Sequence, residues 1–256
     1  EIFNANLNQE DKLFQEKNFG PYILYCGAAD DRKNLKRLIQ AYSLLKDNLK
    51  TIYKLILVGE MEASAGDIYY WRDQFEISED QLLLMGFVTD EELAALYRNC
   101  TLFIFPSIFE GFGLPILEAM SCGAPVIASN TTSIPEILGD SSYTFNPYNI
   151  DEITLLMENC LENRILLNNL KNNSKERSSL FSWDNTANLL LDKLEQLVKS
   201  TKSNSIRFED WNLISEYKSS SYRLILDSLI SELVRCSEDI DLKKLVRVIS
   251  TCINLI

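Results

Sequence analysis

Short apolar runs alternate with helix-patterned segments along the first 150 residues, and this alternation predicts an α/β fold. Strands that alternate with helices form parallel sheets, because each crossover helix packs on a face of the sheet. The predicted strands are Tyr22–Cys26, Tyr53–Val58, Leu82–Met85, Leu102–Phe105, Pro125–Ala128 and Ser142–Phe145. The pattern therefore predicts a Rossmann-like parallel sheet of about six strands with helices on both faces.

The helices between the strands are predicted from apolar residues at helical spacing. The first one, Lys33–Lys46, places one apolar stripe on one face. After the last strand only helical patterns follow, at about residues 151–162, 164–179 and 183–200. Gly27, Gly59, Gly86 and Pro106 mark the carboxyl ends of four strands. Ligands of such sheets bind at these ends.

The chain is predicted to have three parts. Residues 1–18 have the composition of an interdomain linker, residues 19–200 form the α/β domain, and residues 201–256 form a helical extension. Two amphipathic stripes within 206–256 cannot remain in water. We expect them to pack on a neighbouring domain of a longer chain or on a second copy. A simple extension that buttresses the α/β domain is the alternative.

Composition and charge exclude several classes of protein. The net charge is −12, and residues 201–256 hold eight basic and eight acidic side chains, so the excess negative charge lies in residues 1–200. Nucleic-acid binding is therefore not expected. The chain lacks histidine, which excludes His-based catalytic triads and His-containing zinc sites. No apolar run reaches the length of a membrane span, and no signal-peptide pattern opens the chain.

The six cysteines form no CxxC pair, and several lie in apolar runs. They are interpreted as reduced thiols of a cytoplasmic protein rather than as a disulfide framework.

The segment 105–136 contains the clearest functional pattern. A glycine loop, Glu110-Gly-Phe-Gly113, follows a predicted strand and leads into a helix that begins at Leu114-Pro115. Such a loop presents free backbone N–H groups and the positive end of the helix dipole. Two carboxylates, those of Glu110 and Glu118, bracket it. The pattern predicts a site for a phosphate or another anion.

This segment resembles the donor-binding signature of the family 4 group of retaining GT-B glycosyltransferases. The signature has two glutamates separated by seven residues, as Glu110 and Glu118 are, within PS-x-x-EGFG-x-P-x-LEAM-x-x-G-x-PVIAS. A later PE-x-x-GD at residues 135–140 also fits. The resemblance covers about residues 19–200 and implies the C-terminal, donor-binding lobe of such an enzyme. The alternative is an ordinary strand–loop–helix unit with two solvated glutamates.

The resemblance assigns roles to the residues of this segment. Glu118 would bind the ribose hydroxyls of a nucleotide, and Glu110, the catalytic residue, would lie beside the sugar ring. Four backbone N–H groups would hold the sugar hydroxyls and the diphosphate: those of Gly111, Phe112, Gly113 and Leu114. Phe112 is also grouped with the aromatic residues that are interpreted as packing residues, which are Phe103, Phe105, Phe109 and Phe112.

Gly27 and the following RKNL are similar to the second phosphate element of the family. The resemblance assigns Arg32 and Lys33 to the donor diphosphate. Two cations in the first turn of a helix oppose the helix dipole, and an anion bound between them would offset that cost. Many members carry an arginine directly after the glycine, where this chain has Ala28, so one phosphate contact of the family is missing. The alternative is a solvated helix start balanced by the two preceding aspartates.

The loop Gly86-Phe87-Val88 resembles the base-recognition loop of the family, which uses mainly backbone groups. The side chain of Thr89 or Asp90 is expected to cap the next helix, Glu91–Arg98. Gly86, Phe87 and Val88 are thus counted among the donor-binding residues. The resemblance also implies that no metal ion or other cofactor is needed, because protein cations serve the diphosphate.

The function implied is transfer of a hexose from a nucleotide sugar, GDP- or UDP-linked, to a glycan acceptor in bacterial polysaccharide biosynthesis. The reaction would take place in the cytoplasm or at the inner face of the membrane. The acceptor would be held by an N-terminal lobe that this chain lacks, so the chain alone is expected to bind the donor and to transfer sugar poorly. The alternatives are a phosphorylase, for which no pyridoxal-phosphate context is found, a non-catalytic sugar-nucleotide module, and one subunit of a split enzyme.

Overall fold

The computed structural model describes residues 2–6, 19–189 and 192, and the chain divides into two units, Glu1–Phe181 and Ser182–Ile256. In the second unit the described residues form a helix at 183–189. The Ser182 hydroxyl caps this helix by accepting a hydrogen bond from the Asn185 amide at 3.0 Å. All elements named below belong to the first unit.

The first unit alternates strands and helices as predicted. The strands are β1 (Tyr22–Cys26), β2 (Lys54–Val58), β3 (Leu82–Gly86), β4 (Leu102–Phe105), β5 (Val126–Ser129) and β6 (Thr144–Phe145). The α-helices are α1 (Leu35–Ser43), α2 (Asp47–Ile52), α3 (Ala65–Gln74), α4 (Asp90–Asn99), α5 (Leu114–Ser121), α6 (Ile134–Leu138), α7 (Ile150–Glu162) and α8 (Arg164–Ser178). Single 3₁₀ turns lie at Asp31–Lys33, Glu62–Ser64 and Ser141–Tyr143.

The six strands form one sheet in the order β3-β2-β1-β4-β5-β6, and every neighbouring pair is parallel. The predicted Rossmann-like sheet is confirmed. The chain proceeds from β1 outward to β3, then returns so that β4 pairs with the other side of β1. The order therefore reverses between β1 and β4, and the crevice outside their carboxyl ends is where ligands of such sheets bind.

Apolar side chains cover both faces of the sheet because successive strand residues point to opposite sides. On β1, Ile23 and Tyr25 belong to a core with α1, α2, α3 and α7, whereas Leu24 belongs to a core with α4, α5 and α6. All three residues are fully buried. The helix α8 packs against α5 and α7, and its Ser174 hydroxyl donates to the Ala124 carbonyl at 2.6 Å.

Two predicted elements are shorter than expected by two or more residues. The first helix was predicted to begin at Lys33, but α1 begins at Leu35, because Asn34 adopts a left-handed conformation (φ 62°) that interrupts the helical path. It ends at Ser43, and the separate helix α2 follows. The last strand consists of Thr144–Phe145 alone, because the preceding three residues form a 3₁₀ turn.

Of the predicted linker, only residues 2–6 are described. Phe3 packs edge-on against Tyr97 at a centroid distance of 6.1 Å, and the Arg98 guanidinium donates to the Asn4 carbonyl at 3.0 Å. The linker prediction for residues 7–18 and the two amphipathic stripes of 206–256 lie outside the described residues. No helix in the described part of the chain is long and apolar enough to cross a membrane.

Replacing Gly59 by alanine should destabilise the fold, because a Cβ atom there would lie 2.1 Å from the backbone oxygen of Gly27. Backbone must move to relieve this contact, and the φ of Gly59 is 133°. We expect a loss of about 2–4 kcal/mol in the free energy of unfolding, measured by urea titration.

Gly66→Ala is the matched control, since a Cβ atom at Gly66 meets nothing within 4 Å and the residue lies in α3. It should be neutral or should stabilise by up to about 1 kcal/mol. Equal urea midpoints for Gly59→Ala and the unmodified chain would contradict the close approach of the two strand ends.

Candidate functional site

The candidate site lies at the carboxyl ends of β1 and β4, where the strand order reverses. The turn that follows β1 carries Lys33, and the loop that follows β4 carries Glu110. The Ile108 amide of the second loop donates to the Arg32 carbonyl of the first at 2.7 Å, so the two loops are bonded directly. The sheet topology thus brings together two motifs that are far apart in the sequence.

The ammonium of Lys33 forms an ion pair with the carboxylate of Glu110, at 2.7 Å from Nζ to Oε1. The two side chains are only 16% and 13% exposed, so water screens the pair weakly. The same ammonium lies 5.3 Å from the centroid of the buried Phe105 ring. The site therefore holds a weakly screened charge pair close to the sheet.

Asn34 holds the turn that carries Lys33. Its side-chain amide donates to the carbonyls of Pro106, at 3.1 Å, and Pro147, at 2.7 Å, and its side-chain oxygen accepts from Arg37 at 2.8 Å. The residue is 4% exposed. Three loops that follow β1, β4 and β6 are thereby joined through one side chain. Asparagine suits this position because it tolerates the left-handed conformation.

The N-terminus of α5 faces the same crevice. Gly113 precedes the helix with φ 107°, and the residue at the second helical position is Pro115. Among the described residues, no acceptor receives the backbone N–H groups of the four residues before Pro115. These groups were predicted to bind the ligand, namely those of Gly111, Phe112, Gly113 and Leu114. Their lack of a protein partner leaves them available for an anion or for sugar hydroxyls.

Glu118 lies one turn further along α5 and is half-buried. The Tyr97 hydroxyl of α4 donates to its Oε2 atom at 3.3 Å. Burial raises the pKa of the Glu118 carboxyl above its ordinary value, and Asp90 adds to this shift, while the Tyr97 hydrogen bond opposes it. A half-buried carboxylate with few hydrogen-bond partners is unfavourable. Hydrogen bonds donated by a ligand would offset that cost, so Glu118 is suited to accept them.

Cys26 lies at the end of β1, close enough to both Glu118 and Lys33 for their charges to influence its thiol. Burial raises the pKa of its thiol to about 11, and the charges of both Glu118 and Lys33 act on it. The thiol is thus protonated at neutral pH and is not a nucleophile. Of the described cysteines, Cys26, Cys100 and Cys160 are free thiols.

The remaining predicted donor residues lie along the same edge of the sheet. Gly27 and Gly86 end β1 and β3, and the Gly59 amide between them donates to the Gly86 carbonyl at 2.9 Å. The Phe87 side chain is 71% exposed, whereas Val88 is half-buried against the core. The structure therefore places the proposed base-recognition loop at the carboxyl edge, two strands from β1.

Arg32 differs from Lys33 in its surroundings. Its guanidinium binds the Asp30 carboxylate through two hydrogen bonds of 3.1 Å, and 64% of its side chain is exposed. This pair matches the alternative in which the cations of the turn are balanced by aspartates. Lys33 itself was placed in the first turn of a helix, and that was wrong, because it lies in a 3₁₀ turn before Asn34.

The prediction that four phenylalanines near the motif are packing residues holds for two of them. Phe103 and Phe105 are fully buried, but Phe109 is 57% exposed and Phe112 is 45% exposed. The two buried rings belong to β4, where both faces are covered. The two exposed rings belong to the loop that follows β4. Phe112 packs edge-on against Phe181 at 6.1 Å.

Thr89 caps α4. The sequence predicted that either Thr89 or Asp90 would do so. Its hydroxyl accepts from the Glu92 amide at 3.3 Å, and the Glu92 carboxylate accepts from the Thr89 amide at 3.0 Å. This is a reciprocal capping box. It leaves the Gly86-Phe87-Val88 backbone as the ligand-facing candidate of this loop.

Three residues of the site were not predicted: Asn34, Tyr97 and Thr132. The Thr132 hydroxyl accepts from the Glu110 amide at 3.2 Å. No local pattern marks Tyr97, which occupies an ordinary buried position of α4, and the left-handed residue Asn34 carries only the weak signal that asparagine tolerates this conformation.

Comparison with known protein families shows to which family the chain belongs. The family model described as glycosyl transferases group 1 matches residues 8–177. The chain belongs to this family. The matched region contains every residue of the site described above, from Gly27 to Thr132, and it ends within α8.

Two curated relatives are both mannosyltransferases of Escherichia coli. The serotype-specific mannosyltransferase WbdA is 40% identical over 182 residues, which is 71% of this chain and 22% of that protein. The O-antigen chain mannosyltransferase B is 38% identical over 164 residues, which is 64% of this chain and 43% of that protein. The chain therefore spans less than half the length of these relatives.

Two solved structures show the same fold. HepE of Anabaena, in complex with UDP and glucose, has a TM-score of 0.66 at 20% identity, covering 76% of this chain and 54% of that one. The C-terminal domain of the group 1 protein LpcC from Francisella tularensis has a TM-score of 0.60 at 22% identity. It covers 70% of this chain and 95% of that domain. The predicted GT-B C-terminal lobe is thus confirmed as a fold.

The raised pKa of Glu118 predicts a pH-dependent stability change on replacing it by glutamine. A carboxyl whose folded-state pKa is raised destabilises the fold once it ionises. Its favourable contribution is present below the ordinary glutamate pKa and is lost as the pH rises through the folded-state value. Glu118→Gln should therefore melt at a higher temperature than the unmodified chain at about pH 8, and the advantage should shrink towards about pH 5.

The measurement is thermal unfolding of both proteins across this pH range without ligand. Glu176→Gln on the exposed side of α8 is the matched control for the loss of one negative charge. A Glu118→Gln protein that is less stable than the unmodified chain at every pH would show that burial is not the dominant influence on this carboxyl.

Proposed function

We propose that this chain is the nucleotide-sugar-binding lobe of a retaining glycosyltransferase that transfers a hexose to a glycan. The observation that supports this most directly is the position of the Lys33–Glu110 pair at the carboxyl ends of β1 and β4. A cation, a carboxylate and four available amides converge there. The proposal requires the ligand to carry both a diphosphate and hydroxyl groups, and a nucleotide sugar carries both.

The diphosphate would lie between the Lys33 ammonium and the N-terminus of α5. Bond cleavage in glycosyl transfer builds negative charge on the leaving diphosphate, and both groups are placed to stabilise that charge. Binding would draw Lys33 away from Glu110, because the diphosphate carries more charge than one carboxylate. We propose that no metal ion is required, since these groups supply the positive potential.

The two carboxylates would contact opposite parts of the donor. Glu118, held by the Tyr97 hydroxyl, would accept hydrogen bonds from the ribose hydroxyls. Glu110, once separated from Lys33, would face the sugar ring, where positive charge develops on the anomeric carbon. The base would lie along the backbone of Gly86-Phe87-Val88, beyond the glycine ends of β1 and β2.

The hexose that we propose is mannose, since both curated relatives are named as mannosyltransferases. The acceptor would be a growing bacterial polysaccharide, in line with the O-antigen function in the name of one of them. It would be held by the part of a longer protein that this chain does not include. The cytoplasm is the compartment that we propose, because the free thiols suit a reducing environment.

Calorimetric titration of the chain with GDP-mannose, UDP-glucose and ADP-glucose, with and without EDTA, tests the proposal. Lys33→Ala and Glu118→Ala should each weaken binding of the preferred donor by about 1–3 kcal/mol, because each removes a charged hydrogen bond. Lys36→Ala, which removes an exposed cation of α1, is the control and should change affinity by less than about 0.5 kcal/mol.

If no sugar nucleotide binds the unmodified chain, the proposed function fails. If a donor binds but Lys33→Ala binds it as tightly, the site has been placed wrongly. Loss of binding in EDTA would overturn the proposal that no metal is required.

Glu110→Gln should bind the free nucleoside diphosphate more tightly than the unmodified chain. The substitution frees Lys33 from its 2.7 Å ion pair and removes a negative charge next to the diphosphate. We expect a gain of about threefold at low salt, and a smaller gain at high salt. Glu176→Gln controls for the change in net charge.

The nucleoside diphosphate is titrated into each variant at two salt concentrations. Weaker binding by Glu110→Gln would mean that the carboxylate serves to hold Lys33 in position rather than to compete for it.

A further inference from the structure

Three described residues other than glycine have a positive φ, and two of them lie at the candidate site. Asn34 (φ 62°) and Thr132 (φ 53°) flank the Glu110 loop, whereas Glu76 (φ 56°) follows α3 on the surface. Threonine is β-branched, and its side chain clashes with the backbone in this region more than most. The third residue, Glu76, lies outside the site. A substitution at Glu76 therefore tests the effect of relieving backbone strain without changing the site.

The strained residue makes a specific contact. The Thr132 hydroxyl accepts a hydrogen bond from the backbone amide of Glu110 at 3.2 Å. The adjacent Ser133 hydroxyl donates to the Phe112 carbonyl at 2.8 Å and lies 3.3 Å from the Glu110 carbonyl. Two neighbouring hydroxyls thus contact three backbone groups of the loop, two of Glu110 and one of Phe112.

Apart from these hydroxyls, the loop is held at Ile108, whose amide donates to the Arg32 carbonyl, and at the Glu110 side chain, which pairs with Lys33. A Cβ atom at Gly111 would meet nothing within 4 Å, and the Phe109 and Phe112 side chains on either side of Glu110 are largely exposed. Side-chain packing in this segment is therefore confined mainly to the edge-on contact of Phe112 with Phe181. Among the described residues, the hydroxyls of Thr132 and Ser133 are the hydrogen-bond partners of the Glu110 backbone, from which the carboxylate side chain extends.

The segment that carries these hydroxyls is itself rigidly attached. The Ser129 hydroxyl, fully buried at the end of β5, donates to the carbonyls of Phe105, at 3.2 Å, and of Ser107. The Asn130 amide donates to the Phe145 carbonyl at 2.8 Å. Residues 129–133 are therefore anchored to β4 and β6, and they transmit that anchoring to the Glu110 loop.

We propose that Thr132 is a positioning residue, whose strained backbone is retained because it aims a hydroxyl at the Glu110 amide. A glycine would adopt this φ without strain but would provide no acceptor. By fixing the backbone at Glu110, Thr132 sets the position of that carboxylate and of the amides that follow it relative to the sugar. The role in sugar binding rests on the proposed function, whereas the role in ordering the loop does not.

The test compares three variants of the full chain. Thr132→Gly keeps the conformation and removes the hydroxyl, and Thr132→Ser restores the hydroxyl without the branch. Glu76→Gly relieves the same kind of strain at a remote position and is the matched control. The first measurement, amide hydrogen exchange without ligand, should show about tenfold faster exchange at Glu110 in Thr132→Gly, and near-normal exchange in the other two.

The second measurement is the ratio of affinities for GDP-mannose over GDP, and for UDP-glucose over UDP. In Thr132→Gly this ratio should fall about tenfold for the donor that binds, while the affinity for the diphosphate alone changes by less than about twofold. Thr132→Ser should restore the ratio, and Glu76→Gly should leave it unchanged.

Unchanged exchange at Glu110 in Thr132→Gly overturns the proposal whatever the ligand results. Equal losses for the sugar nucleotide and the diphosphate overturn it as well, because they would indicate general disruption of the site. If the unmodified chain binds neither donor, the proposed function fails, and the exchange data alone then decide whether Thr132 orders the loop.

Discussion

The pairing of β1 with β4 is the constraint on which the site depends. Because β4 returns to the free side of β1, the turn after one strand and the loop after the other emerge side by side. The Lys33–Glu110 ion pair, which joins residues 77 positions apart, follows directly from this reversal. The hydrogen bonds of Asn34 extend the junction to the loop after β6. Without this strand order the two halves of the motif would not meet.

An acidic chain with a net charge of −12 is not an obvious partner for a diphosphate. The proposed diphosphate site would depend on local geometry rather than on overall charge. One partly buried cation and a set of backbone amides face the crevice, and the amides contribute positive potential without adding net charge. Burial strengthens these interactions because water screens them less. The same burial disfavours the ionised form of Glu118 and so lowers the free energy of unfolding of the ligand-free protein. A binding site can reduce stability in this way.

Backbone strain and close packing are concentrated at the same edge of the sheet. The ends of β1 and β2 approach so closely that only glycine fits at Gly59, and the loops carry two left-handed residues that are not glycine. Such positions persist where the surrounding structure determines them firmly. At this edge the anchoring comes from buried hydroxyl and amide groups that bond the loops to one another. The edge is therefore a rigid frame around the candidate site, with the exposed rings of Phe109 and Phe112 at its rim.

The sequence alone predicted the order of strands and helices and proposed the type of site. Apolar periodicity located all six strands, and the glycine loop between Glu110 and Glu118 identified the helix N-terminus, because these signals are local and repeat at the spacing of the backbone. Membership in the glycosyl transferases group 1 family was visible in the same motif. Only the tertiary structure decided that Lys33 pairs with Glu110, that Tyr97 supports Glu118 and that Thr132 holds the loop. Those contacts join segments distant in the sequence, and their geometry depends on strand order and on loop conformations that no local pattern specifies.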